Sequence, residues 1–167
     1  DALNAILKGK RRKKRHSVLH CGINLQPFNK LSENRRAFRE RQGLSGDAIV
    51  LLFVGRMIEY KNPCFVVDVL SQLPSSHENV VSLFAGVGPL ELDVEQMALE
   101  KGLENRVRIL GWCGDMPSLM KACDLLLWPG LEEPKEGLGL GVVEAQAAGV
   151  PVIMSRSVPE EAIVLEA

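Results

Sequence analysis

Aromatic residues are scarce in this 167-residue chain, at 5%, with one tyrosine and two tryptophans. None is interleaved in the basic run from Lys8 to Arg15, which excludes a stacking platform for single-stranded nucleic acid there. The four cysteines, Cys21, Cys64, Cys113 and Cys123, form no Cys-x-x-Cys and no paired ligand spacing. Neither a zinc site nor a dithiol redox motif is therefore predicted; reduced, mostly buried thiols of a cytoplasmic protein are. No apolar stretch is long enough to span a bilayer, and no signal peptide is recognisable. An initiator Met is lacking too, and Asp1 as first residue suggests a fragment of a longer chain.

What is present is the composition of a globular domain, 46% hydrophobic and 25% charged, in a chain long enough for one real core. The net charge of -1 conceals an uneven distribution. Lys8, Lys10, Arg11, Arg12, Lys13, Lys14 and Arg15 are seven of the 20 basic residues, and from His16 onward 13 basic face 20 acidic ones. Residues 1–16 read as a basic leader or linker and 17–167 as one mildly acidic domain. A solvated linker is the preferred reading of the leader. Peripheral contact with the cytoplasmic face of a membrane through Lys8–Arg15 is its alternative role, and no nucleic-acid partner is expected.

Ser17 to Cys21 is a short apolar run, Gly22 to Phe28 reads as a turn, and residues 30–45 are Arg-rich and helical in part. From Ile49 a regular alternation begins. The apolar run Ile49–Val54 is predicted to be a strand covered on both faces. Asn62-Pro63 reads as an N-cap and first helical residue, with Val66, Val69, Leu70 and Leu73 at helical spacing and Pro74 as the stop. Val80–Ala85 is the next strand, followed by a helix through Leu90, Val94, Met97 and Ala98 that stops near Gly102. Then come a strand over Arg106–Leu110, a helix over Met116–Ala122 and a strand over Asp124–Trp128. A helix through Val142–Ala148, ended by Gly149, precedes a strand at Val152-Ile153, so the open sheet could continue past the last residue. This pattern predicts an α/β fold, a Rossmann-like parallel sheet with helices on both faces. Ligands of such sheets bind at the carboxyl ends of the strands, which selects the loops 55–61, 86–89, 111–115 and 129–140.

Two of those loops carry chemistry. Glu136-Gly-Leu-Gly-Leu-Gly-Val-Val-Glu144 places three glycines in five residues between a strand and a helix, so that backbone can approach a ligand and free helix-start amides can meet an anion. Glu144, about two turns into that segment, is placed to accept from hydroxyl groups. Gly55-Arg56 follows the first strand directly, with Lys61 in the same loop. A forked guanidinium and a point-charge ammonium at one sheet edge suit a diphosphate. Without a ligand, the same features would be a Gly-rich turn and solvated loop charges. His16, His20 and His77 have no nearby partner that suggests catalysis, and Trp112 and Trp128 read as packing residues before a base platform.

Val-Gly-Arg…Lys-Asn, Ala-Gly-Val-Gly-Pro, Arg-Val-Arg-Ile-Leu-Gly and Glu-Gly-Leu-Gly-Leu…Glu-Ala-Gln-Ala-Ala-Gly-Val-Pro-Val-Ile, in that order, resemble retaining glycosyltransferases of family 4. The resemblance spans roughly residues 17–165 and is most specific in the two glutamates separated by seven residues. It implies one half of a two-domain GT-B fold, the C-terminal domain that binds a UDP-, GDP- or ADP-linked sugar, with the acceptor held by an N-terminal domain absent from this sequence. It further implies that Gly55, Arg56 and Lys61 hold the donor diphosphate. Glu136 would contact the transferred sugar, Glu144 the ribose, and the backbone of Gly137, Leu138, Gly139 and Leu140 the sugar-phosphate. Glu136, Arg56 and Lys61 are the catalytic candidates, and Trp112 and Cys113 would lie near the nucleobase. Leu138 stands where the family usually has Phe, and Glu132, Glu133 and Lys135 make the preceding loop unusually charged, so sugar specificity does not carry over. No Asp-x-Asp is present, so no metal and no cofactor is called for beyond the sugar nucleotide as substrate.

Rival readings are an epimerase or phosphorylase of the same architecture, and a sugar-nucleotide-binding domain without transfer activity. A dinucleotide-dependent oxidoreductase ranks lower. Gly86-Val-Gly88 begins like its fingerprint but lacks the third glycine.

Overall fold

Ile49–Val54 (β1) alternates its side chains between two cores: Val50 and Leu52 enter one cluster, Leu51 and Phe53 the other. A strand buried on both faces belongs at the centre of a parallel sheet, and β1 lies there. The computed structural model describes residues 22–31, 33–134 and 136–158. The basic leader, the run Ser17 to Cys21, Lys135 and the segment after Val158 lie outside the described residues.

Among the described residues five parallel strands, β1, β2 (Val80–Ala85), β3 (Val107–Gly111), β4 (Leu125–Trp128) and β5 (Val152–Met154), are arranged in the order β3-β2-β1-β4-β5. The order reverses between β1 and β4, and open α/β sheets bind their ligands at the carboxyl edge beside such a reversal. β1 and β2 pair in continuous register from Ile49↔Val80 to Val54↔Ala85.

Among the described residues six α-helices cover the sheet: α1 (Gln26–Asn29), α2 (Arg35–Arg41), α3 (Cys64–Gln72), α4 (Glu91–Glu100), α5 (Met116–Ala122) and α6 (Leu140–Ala148). Val66, Val67 and Leu70 of α3 and Val94 and Ala98 of α4 pack on Phe53 and Phe84, whose rings lie 5.5 Å apart. Phe38 of α2, Leu119 and Met120 of α5, and Val142 and Ala145 of α6 fill the opposite face. α2 is tied down by charge as well as packing. Arg35 reaches Asp124 at 2.5 Å and the Cys123 carbonyl at 2.8 Å, while the other Asp124 oxygen accepts from the Val50 amide at 2.7 Å. Arg39 donates to the Ala48 carbonyl beside it.

Three local expectations are corrected. The turn expected over Gly22–Phe28 gives way to the single helical turn of α1, which buries Phe28. Asn62 does not cap α3 with its side chain. It adopts a left-handed backbone, φ 54°, and its amide donates across to the Pro129 carbonyl at 3.3 Å. Of the described cysteines only Cys123 is buried, its thiol pushed up to about 12 by loss of hydration; Cys64 and Cys113 are half-buried. Gly149 ends α6 in a left-handed conformation with its amide on the Ala145 and Gln146 carbonyls, as its position predicts.

Candidate functional site

The loops after β1 and β4 are stitched together at the reversal point. The Leu131 amide donates to the Tyr60 carbonyl at 2.8 Å, and the Asn62 amide holds Pro129. A single 3₁₀ turn, Glu59–Lys61, ends the first loop and turns Lys61 inward. Its ammonium pairs with the Glu136 carboxylate, and both side chains are nearly dry, 12% and 13% exposed. The ammonium also lies 4.7 Å from the ring centroid of Trp128 and 5.6 Å from that of Tyr60. Glu136 is fixed at its backbone, where its amide donates to the Ser157 carbonyl at 2.8 Å. Two sequence-predicted residues, 75 positions apart, thus meet where the strand order reverses.

Arg56 is not part of that contact. Its guanidinium is exposed and donates to the Tyr60 hydroxyl at 2.9 Å. Gly55 lies beneath the aliphatic part of Lys61, 3.9 Å from where a Cβ would stand.

The glycine-rich segment delivers a helix start. Gly139, with φ 71°, makes the entry turn, and α6 begins at Leu140. Among the described residues no hydrogen bond is made to the Leu140 or Gly141 amide. A Cβ on Gly141 would stand 2.5 Å from a ring carbon of Trp128, so only glycine lets the helix start this close to the end of β4. Gly137 and Leu140 are exposed and Leu138 is half-buried against the core.

Glu144 lies just over one turn into α6, not two, because residues 136–139 are loop and the helix starts at Leu140. Its carboxyl is half-buried, and lost hydration raises its pKa. It lines a hollow of about 610 Å³ with Asn24, Phe28, Lys30, Gly114 and Asp115. The loop after β3 therefore reaches Glu144 through Gly114 and Asp115. Trp112 and Cys113 line a neighbouring depression against Phe38 and Arg41. Trp112 is no packing residue: 79% exposed, it projects from the surface, whereas Trp128 is buried at 5%.

Gly86 and Gly88 have a structural explanation. Cβ atoms there would fall 1.9 Å from the Gly55 carbonyl oxygen and 2.3 Å from that of Met57. The pair lets the first loop pass, which removes the main support for a dinucleotide fingerprint.

Sequence reasoning passed over Tyr60, which bridges Arg56, Leu131 and Lys61, and the Ser155–Ser157 turn behind Gly130 and Glu136. Tyr60 is the one tyrosine of the chain and adjoins Lys61, a signal available in the sequence. The serines carry no such signal. Among the described residues no helix is long and apolar enough to cross a membrane.

This arrangement, a parallel α/β sheet with a charged pair and a glycine-entered helix at its reversal point, places anion-binding groups where domains of this class receive their ligands. The family model for glycosyl transferases group 1 matches residues 34–166, and the chain belongs to that family. It is 32% identical over 144 residues to the UDP-Gal:alpha-D-GlcNAc-diphosphoundecaprenol alpha-1,3-galactosyltransferase of Escherichia coli, covering 84% of this chain and 36% of that one. The crystal structure of Anabaena HepE in complex with UDP superimposes with a TM-score of 0.70 at 27% identity, over 80% of this chain and 36% of that one. The C-terminal domain of a glycosyl transferase group 1 protein, LpcC, from Francisella tularensis shares the fold, with a TM-score of 0.66 at 24% identity over 83% and 74%. The sheet and its helices match the GT-B-type fold of these structures. The chain spans roughly a third of the length of the curated relatives it matches.

Proposed function

We propose that this chain is the donor-binding half of a retaining glycosyltransferase similar to family 4, and that its donor is a uridine diphosphate sugar. The contact of Lys61 with Glu136 at the reversal point carries the reading, because it joins an anion-binding group to a hydroxyl-binding one. The choice of uridine rests on the HepE complex with UDP and on the UDP-Gal in the name of the Escherichia coli relative.

In this account the Lys61 ammonium and the Leu140 and Gly141 amides meet the diphosphate, and Arg56 closes on it from the exposed side. The ribose hydroxyls donate to Glu144 in its hollow, with the base toward Gly114 and Trp112. Glu136, released by Lys61, accepts from hydroxyls of the transferred sugar. As the bond from the anomeric carbon to the diphosphate breaks, negative charge gathers on the leaving oxygens, where preorganised donors already point. Losing one such donor costs about 10²–10³ in rate. The acceptor is held by a second, N-terminal domain, and the sugar joins it with its anomeric configuration retained.

Calorimetric titration tests the reading: UDP binds more tightly than UMP, since the terminal phosphate is what Lys61 and the helix amides recognise. Equal affinities would remove the diphosphate from the account.

A further inference from the structure

We propose that Trp128 is the positioning residue of this site, holding the Lys61 ammonium on its ring face so that the ammonium can exchange Glu136 for a phosphate oxygen without leaving its place. The assignment rests on the donor-site reading above and adds to it a residue that touches no substrate.

Three observations carry it. First, Trp128 ends β4 at the reversal point, 5% exposed, with the Lys61 ammonium 4.7 Å from its ring centroid. A cation over a ring face is attracted by the ring quadrupole, most strongly for tryptophan and where water is excluded. Second, the backbone of α6 flanks the ring. Gly141, in the first turn of α6, lies so close that a single added carbon would stand 2.5 Å from a ring atom. The ring thus couples Lys61 to the helix start, whose Leu140 and Gly141 amides have no partner among the described residues. Third, the indole N–H is buried without a hydrogen-bond partner among the described residues. Stranding such a donor opposes folding. A leucine or phenylalanine would fill the end of β4 without that penalty, so packing alone does not account for an indole here.

The consequence concerns entropy and direction. A lysine reaches its partner through a flexible four-carbon stem and carries large rotamer freedom. On the ring of Trp128 that freedom is spent before the donor arrives, and the charge is already held beside Glu136.

The test is a double-mutant cycle with UDP as the probe, on the whole chain, measured by calorimetry alongside the thermal midpoint of each variant. Trp128→Leu is expected to weaken UDP binding about tenfold, and Trp128→Phe, which keeps a weaker ring face, by about threefold. In a Lys61→Met background, Trp128→Leu is expected to change UDP affinity by less than about twofold, because its effect runs through Lys61. A purely structural tryptophan would weaken binding equally in both backgrounds, and that result overturns the assignment. So does an unchanged affinity in Trp128→Leu when Lys61→Met binds poorly; in that case the donor site stands and only the positioning role falls. Failure of the wild-type chain to bind UDP, or wild-type affinity in Lys61→Met, overturns the donor-site reading and this assignment with it.

Discussion

Glu136→Gln is expected to make the protein less stable and yet a tighter binder of UDP. The Glu136 carboxylate is the counter-ion of Lys61, with both groups about one-eighth exposed. Two unit charges 4 Å apart interact by about 4 kcal/mol at an effective dielectric of 20. Much of that offsets the loss of hydration. Exposed pairs contribute about 0–1 kcal/mol, and removing one partner of a buried pair costs about 3–5, so a loss of about 2 kcal/mol in unfolding free energy fits this intermediate burial. For UDP the sign reverses. The phosphate no longer competes with a carboxylate for Lys61 or approaches a fixed negative charge, and a gain of about 1.4 kcal/mol, or tenfold in affinity, is expected. Urea unfolding and calorimetric titration of the same preparations measure both effects, and the affinity gain should shrink as salt is added. Unchanged or weaker UDP binding by a folded Glu136→Gln variant would mean that Lys61 need not be released, and the ammonium would not be the phosphate ligand.

Glu144→Gln tests the second carboxylate through pH. Burial raises the Glu144 pKa above its ordinary value of 4.5, so its ionisation opposes folding: the acid form is fully stabilised below that value, and the advantage is lost as pH rises through the folded pKa. The variant should therefore have the higher thermal midpoint at pH 7 and lose that lead at pH 4; a lead independent of pH would contradict the burial argument. Gly141→Ala should cost about 1–3 kcal/mol in chemical denaturation, because its methyl group would stand 2.5 Å from the Trp128 ring, and a neutral result would show that α6 can shift without cost. Asp124→Ala removes the shared acceptor of Arg35 and the Val50 amide and should destabilise by about 2 kcal/mol, seen as an earlier urea midpoint with UDP affinity retained.

The fold was largely legible because its signals are local. An unbroken run such as Ile49–Val54 admits a doubly buried strand, and Gly149 followed by Pro151 marks a helix end whatever surrounds it. What escaped depends on partners distant in sequence. Asn62 beside Pro63 looks like a cap, but the Pro129 carbonyl is the better partner once β4 lies next to β1. Trp112 and Trp128 are equivalent by residue type, and only the position of each relative to its strand sends one to the surface and the other beneath α6. The candidate site divides in the same way. Lys61, Glu136 and Glu144 could be singled out by spacing and residue type. The pairing of Lys61 with Glu136, and of Arg56 with Tyr60, could not, because it depends on how far each loop turns inward. Nothing in the sequence separates Ser155 and Ser157 from other loop serines.

A crystal structure of the chain with UDP would test most directly whether cation and helix start grip one pyrophosphate. The Lys61 ammonium is expected to have moved from Glu136 to the terminal phosphate but to lie still over the Trp128 ring, with the Leu140 and Gly141 amides on phosphate oxygens and the ribose against Glu144. A diphosphate bound elsewhere, with the Lys61–Glu136 pair intact, would contradict that expectation.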